Sequence, residues 1–212
     1  MINAKIIGAG GYGGVGICEL LHSHPEVEIS ALVARENIGS PISEVYPHLA
    51  GYVDLPIVAA DSAEARAAAD VVFMATPDRV GMTLAADELA KGAKVIDYSG
   101  DFRFNSPDTY SDYATRIGLP ADHEAPELLP EAVYGLPELH RKELRADARL
   151  VGNPGCFAVS CILGLAPAVK AKLIEPGSII CDSKTGVSGA GKTPKPQFHY
   201  PARYENMNAY RL

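Results

Sequence analysis

The sequence predicts an α/β protein built around a mostly parallel, doubly wound sheet. Short apolar runs of strand length recur along the chain, stretches with helical apolar spacing separate them, and glycine or proline marks the junctions. In such a sheet ligands bind beyond the carboxyl ends of the strands, so the residues that end each run are the first candidates for a site.

Ala4-Lys5-Ile6-Ile7 reads as a buried strand and runs into Gly8-Ala9-Gly10-Gly11-Tyr12-Gly13-Gly14, after which Val15 to Leu21 has helical spacing. The glycines fit two registers: G-x-G-x-x-G through Gly8, Gly10 and Gly13, and G-x-x-G-x-x-G through Gly8, Gly11 and Gly14. In either, missing Cβ atoms let the backbone approach a pyrophosphate seated on the N-terminus of the following helix. Val27 to Val33 is the next strand, and it ends at Ala34-Arg35, about where a dinucleotide-binding fold reads the adenosine ribose. An acidic residue there suits a free 2′-hydroxyl. Arg35 suits a 2′-phosphate instead, so the expected cofactor is NADP (NADPH) rather than NAD; a solvated strand-end charge beside Glu36 is the competing reading.

Ala69 to Ala75 is a third run, stopped by Thr76-Pro77-Asp78 and followed by helical spacing through Val80, Leu84 and Leu89 to Gly92; Ala93 to Asp97 adds a strand. Thr76-Pro77 and Ser99-Gly100 therefore fall at two strand ends. Arg103, just beyond, is either an anion clamp or a structural ion pair with Asp101 or Asp97. From Asn105 to Asp147 the pattern is irregular and proline-rich (Pro107, Pro120, Pro126, Pro130, Pro137), which predicts excursions across the sheet edge. Within it, Tyr134 to Leu139 reads as a turn into a short helix.

Ala148-Arg149-Leu150-Val151 is a strand that delivers Gly152-Asn153-Pro154-Gly155-Cys156-Phe157. Cys156 follows a Pro-Gly turn and heads an apolar, helix-compatible run from Phe157 to Val169. A thiol at a helix N-terminus sees the positive end of the backbone dipole, which favours the nucleophilic thiolate, and the free N–H groups there suit an oxyanion on an attacked carbonyl. Covalent catalysis through a thioester is the chemistry expected, against the plainer reading of a small apolar residue in a buried turn.

Ser178 to Lys184 reads as a further strand, followed by a match to G-x-x-x-x-G-K-[ST] from Gly186 to Thr193. A nucleotide-triphosphate loop needs its Lys and Thr to open a helix. Pro194-Lys195-Pro196 does not build one, so the match is expected to be coincidental and the loop to lie against a cofactor or substrate phosphate instead.

Composition narrows the class. With 212 residues, 47% hydrophobic and 21% charged, the chain suits a folded globular protein. A net charge of −7 argues against a nucleic-acid partner while leaving room for a small anionic substrate. No run is long enough to span a bilayer and the N-terminus lacks a signal-peptide pattern, so no membrane partner and a cytoplasmic location are expected. Cys18, Cys156, Cys161 and Cys181 form no C-x-x-C pair and are expected as free thiols. The six histidines (His22, His24, His48, His123, His140, His199) lack metal-ligand spacing; no metal site is expected, and each histidine is placed at the surface or in a turn.

Taken together, Gly8 to Gly14, Tyr98-Ser99-Gly100-Asp101-Phe102-Arg103, Tyr134-Gly135-Leu136-Pro137-Glu138, Asn153-Pro154-Gly155-Cys156 and Asp182 to Gly191 resemble, in order and spacing, the N-acetyl-gamma-glutamyl-phosphate reductase family, relatives of aspartate-semialdehyde dehydrogenase. The resemblance implies a Rossmann-type NADP-binding domain over residues 1–150, followed by the start of an α/β catalytic domain over 151–212. It also implies a small acyl-phosphate substrate, Cys156 as nucleophile, and a homo-oligomer. Gly8, Gly11, Tyr12, Gly13, Gly14, Arg35, Thr76 and Pro77 would hold the cofactor, with Ser188 and Gly189 near its nicotinamide. Arg103 would orient the leaving phosphate, and Asn153 with the Cys156 N–H would support the oxyanion. Two departures stand out. Phe157-Ala158-Val159 replaces the family's aromatic-Pro-Thr, and the sequence stops before the segment carrying the family's acid/base histidine, so a partial chain is expected. Aspartate-semialdehyde dehydrogenase, a reductase of carrier-linked homologues and a non-catalytic NADP-binding module are the alternatives.

Overall fold

The computed structural model describes residues 1–144 and 147–209. Among them seven strands form one sheet in which every pairing is parallel, in the order β3-β2-β1-β4-β5-β7-β6. They are β1 (Ile2–Ile7), β2 (Val27–Val33), β3 (Ile57–Val58), β4 (Val71–Met74), β5 (Lys94–Asp97), β6 (Ala132–Tyr134) and β7 (Leu150–Gly152). The helices that matter to the site are α1 (Tyr12–Leu21), α2 (Ile42–Val45), α3 (Ala63–Arg66), α4 (Gly81–Ala90), α5 (Pro107–Arg116), α6 (Pro137–His140) and α7 (Cys156–Lys170).

Alternation along the strands places a core on each face. In β4, Val72 and Met74 join Met82, Ala85 and Leu89 of α4, Tyr110 of α5 and Leu150 of β7. Phe73, between them, packs on the opposite face with Ile6, Leu32, Ile42 and the α1 residues Val15, Ile17 and Cys18. The order in which strands are added reverses between β1 and β4, so a crevice opens at their carboxyl ends.

The run from Asn105 to Asp147, of which residues 145–146 lie outside the described residues, is more regular in its described part than its prolines suggest. It contains α5, whose N-cap Ser106 accepts a hydrogen bond from the Thr109 N–H and whose Pro107 takes the first helical turn, where a missing N–H costs nothing. It also contains β6, the edge strand beside β7. Pro137 likewise begins α6. Pro107, Pro126 and Pro137 here start elements instead of breaking them.

Ser178 to Lys184, expected as a strand, is not one: a short 3-10 turn (Pro176–Ser178) precedes backbone without a ladder, and Ile180 is 92% exposed. A strand needs a partner for its N–H and C=O groups, and no described strand lies alongside. His123 departs too from its expected surface position. It is buried against Phe102 and Tyr110, and burial lowers its pKa. Its Nδ1 accepts from the Ala125 N–H, so Nε2 carries the proton and donates to the Asp101 carbonyl. Among the described residues no helix is long and apolar enough to cross a membrane.

Candidate active site

Because all the strands run one way, the loops that follow β2, β1, β4, β5 and β7 emerge side by side on one edge of the sheet. Those loops carry Arg35, the glycine turn, Thr76-Pro77, the 98–103 segment and Cys156 respectively.

The glycine turn is tied down by Gly8 and Ala9 N–H groups donating to the Val33 carbonyl, and by Gly11 N–H donating to the Gly8 carbonyl. Gly8 has φ +89° and sits against the Ala75 carbonyl, where a Cβ would collide. Gly14 is as confined, backed against Gly8 and Ala9. Gly10, Gly11 and Gly13 have ordinary room, so Gly14 alone is the crowded glycine that separates the two registers, and it belongs to Gly8, Gly11, Gly14. Gly11 is the N-cap of α1, which therefore begins at Tyr12, earlier than the apolar spacing from Val15 suggests, and no side chain caps it. Val15 N–H closes the first helical bond on the Gly11 carbonyl, leaving the N–H groups of Tyr12, Gly13 and Gly14 pointing out of the turn. Next to this turn, Thr76 Oγ1 is buried with no hydrogen-bond partner among the described residues. Open N–H groups, a turn built mostly of glycine and an unpartnered hydroxyl are what a pyrophosphate-containing ligand would fill.

Arg35 stands exposed just past β2 and, among the described residues, forms no ion pair. Pro77 is exposed beside Thr76. Tyr98, to which the sequence assigns no role, lies between the two halves of the edge: its ring would come within 3.8 Å of a Cβ on Gly13. Its place immediately before Ser99-Gly100 at a strand end is the signal that could have marked it.

Arg103 resolves the choice left open by sequence. Its Nε donates to the Asn153 carbonyl at 2.7 Å and its Nη2 to the Tyr98 carbonyl at 2.7 Å. The candidate carboxylates are otherwise engaged. Asp101 accepts from the Arg79 and Met82 N–H groups at 2.8 and 3.0 Å, and Asp97 Oδ2 accepts from Ser99 Oγ at 2.6 Å. The guanidinium thus bolts the turn after β5 to the turn after β7, and the Asn153 N–H donation to the Asp97 carbonyl at 2.7 Å adds a second tie. Nη1 faces the Cys156 turn, 3.3 Å from where a Cβ on Gly155 would stand. The Asn153 side chain is half-buried, with Nδ2 at 3.4 Å from the Pro154 carbonyl.

Cys156 is exposed and is the first residue of α7, whose N-cap is Gly155 and which no side chain caps. Sulfur, guanidinium and helix N-terminus converge within one short turn. Beneath them Asp97 is fully buried, Oδ1 has no hydrogen-bond partner among the described residues, and burial pushes its carboxyl up to about 7.

Ser188 and Gly189 are exposed, in a 3-10 turn over Val187–Ala190. The Gly186–Thr193 segment opens no helix at its lysine; the next elements are a 3-10 turn at Pro196–Phe198 and a one-turn helix at Tyr200–Arg203, so the triphosphate-loop geometry is absent. The loop instead reaches back to the first glycine turn through Lys192.

Comparison with known proteins agrees with this layout. Residues 3–147 match the sequence model of the semialdehyde dehydrogenase NAD binding domain, and residues 156–212 that of the semialdehyde dehydrogenase dimerisation domain. The N-acetyl-gamma-glutamyl-phosphate reductase of Citrifermentans bemidjiense is 42% identical over 99% of this chain and 59% of its own length. That of Bacillus mycoides is 44% identical over 100% and 59%. The chain thus spans about three-fifths of the length of the curated relatives it matches. Among solved structures, aspartate semialdehyde dehydrogenase II of Vibrio cholerae, complexed with ASA, superposes with TM-score 0.57 at 17% identity, covering 81% of this chain and 47% of that one. A probable aspartate-semialdehyde dehydrogenase from Pseudomonas aeruginosa gives 0.53 at 21% identity, covering 80% and 42%. With its parallel sheet, its glycine turn after the first strand and a domain match over most of its length, the chain belongs to the semialdehyde dehydrogenase family.

Proposed function

We propose that the chain carries the cofactor-binding and nucleophilic part of an NADPH-dependent reductase of N-acetyl-gamma-glutamyl phosphate, acting in arginine biosynthesis. The relatives at 42–44% identity carry that name. The chain divides near residue 150 into a dinucleotide-binding part and the beginning of a catalytic part, which also supplies the contact of a homo-oligomer; the dimerisation-domain match over residues 156–212 supports this. A cytoplasmic location suits its four thiols.

One observation carries the reading: Cys156 is exposed at the open N-terminus of α7, on the same sheet edge as the glycine turn. The Cys156 thiolate attacks the acyl carbonyl, the carbonyl oxygen takes the new charge, and collapse of that adduct expels inorganic phosphate and leaves a thioester. The α7 N-terminus, with the Cys156 N–H and Asn153 nearby, stabilises the oxyanion. Arg103 Nη1, held in place by its two carbonyl contacts, binds the departing phosphate. A bound dinucleotide would supply hydride to the thioester carbon, taking the acyl group to the aldehyde and releasing the Cys156 sulfur as thiolate. The N–H groups of Tyr12, Gly13 and Gly14 hold its pyrophosphate, with Gly8 and Gly11 shaping the turn. Thr76-Pro77 lies alongside, Arg35 reads the 2′-phosphate, and Ser188-Gly189 approaches the nicotinamide.

The test is a Cys156→Ser variant supplied with the acyl phosphate and NADPH. Reduction and the covalent acyl adduct seen by mass spectrometry are lost, while NADPH binding survives. Unchanged NADPH oxidation in the variant would remove the covalent mechanism. Aspartyl phosphate, run in parallel, separates this substrate from that of the aspartate-semialdehyde relatives.

A further inference from the structure

One residue of the Gly186 to Thr193 loop has no part in the thioester chemistry: Lys192, which opens no helix. That lysine nonetheless lands on the first glycine turn. Lys192 Nζ lies 3.5 Å from the Gly10 carbonyl oxygen and 5.2 Å from the centroid of the Tyr46 ring. Tyr46 Oη donates to the same carbonyl at 2.9 Å. An ammonium over an aromatic face is held electrostatically without its donors being used up. The Gly10 carbonyl, at 3.5 Å, is a long partner for it; a phosphate oxygen is a stronger one. Gly191, at φ +85°, reverses the chain immediately before Lys192.

The position within the turn matters. Gly10 is on the β2 side, where a Cβ would touch the Ala34 side chain at 3.6 Å, one residue before Arg35. Lys192 therefore stands between the open N–H groups at the head of α1 and the end of β2. A dinucleotide seated there presents its pyrophosphate to the first and its adenosine ribose to the second.

We propose that Lys192 is a cationic clasp on the dinucleotide site: its ammonium leaves the Gly10 carbonyl and binds a phosphate group of the cofactor. The clasp couples the second half of the chain to cofactor binding in the first. It rests on the glycine turn being the dinucleotide site, which the wild-type protein tests by itself. If wild type binds neither NADPH nor NADH, that reading falls and the clasp falls with it.

The experiment is titration of the full chain with NADPH and with NADH, followed by cofactor fluorescence, for wild type, Lys192→Gln and Lys192→Arg. Lys192→Gln weakens binding about tenfold, the size of one hydrogen bond between charged groups. The difference narrows as salt is raised, and Lys192→Arg restores most of the affinity. A loss confined to NADPH assigns the 2′-phosphate; a loss shared with NADH assigns the pyrophosphate. Unchanged affinity of Lys192→Gln for both cofactors overturns the proposal. So does an equal loss in Lys192→Arg, which would make the lysine a packing residue.

Discussion

Lys5 Nζ, on the interior strand β1, lies 3.0 Å from Glu88 Oε2 of α4, with both side chains sealed from solvent. The ammonium also reaches Glu88 Oε1 at 3.1 Å and the Ala65 carbonyl at 2.7 Å, so it is satisfied on every side, and Lys91 makes a further pair with the same carboxylate. The pair pins β1 to α3 and α4 directly behind the glycine turn. Glu88→Ala strands a buried cation and costs about 3–5 kcal/mol, read from urea unfolding. The double variant Lys5→Met, Glu88→Leu recovers most of that loss, because the cost lies in the unpaired charge.

Arg103 holds two turns with a planar fork, and a lysine cannot reproduce that geometry. A lysine side chain there keeps a charge near Gly155 but loses at least one of the two carbonyl contacts. The expected result for Arg103→Lys is a fall of about tenfold or more in kcat/KM for the acyl phosphate, with NADPH affinity retained. A variant with unchanged kcat/KM would remove Arg103 from the substrate site.

Arg35 is exposed and unpaired among the described residues, so its charge is available to a ligand. Arg35→Asp is expected to move the ratio of NADH to NADPH affinity about tenfold toward NADH, measured by titration. Should the ratio stay where it was, the 2′-phosphate assignment fails.

Asp97 gives a pH test with a defined sign. Burial raises its carboxyl from 3.8 to about 7, so the folded chain keeps a proton that the unfolded chain releases. The resulting stability is fully present below 3.8 and is lost as pH rises toward about 7, with a slope of at most about 1.4 kcal/mol per pH unit. Asp97→Asn removes this contribution. His123, lowered by burial, and Asp101, raised by it, titrate in both proteins, so the wild-type minus variant difference reads Asp97 together with its repulsion of Asp101. A difference that does not change between about pH 4 and 7 would show that Asp97 is ionised in the folded chain.

Much of the fold was readable along the chain. Strand, glycine turn and helix from Ala4 to Leu21 are local in origin, and so are the strand from Val27 to Val33 and the Pro-Gly turn that sets Cys156 at the head of α7. Each is decided by apolar spacing and by residues that open or close an element. The prolines after Asn105 were legible in kind but misread in effect, because a proline that breaks a helix and one that begins it are told apart only by the residues downstream of them.

Other features depend on partners distant in sequence. Ser178 to Lys184 has strand composition, yet a strand exists only where a ladder accepts its backbone. Whether Arg103 met a carboxylate or two carbonyls turned on the alignment of β5 with β7. The need for glycine at Gly8 comes from Ala75, a neighbour across the sheet. Spacing along the backbone specifies what a segment can become; which polar groups end up paired, buried or facing a ligand is decided when remote segments compete for the same contacts.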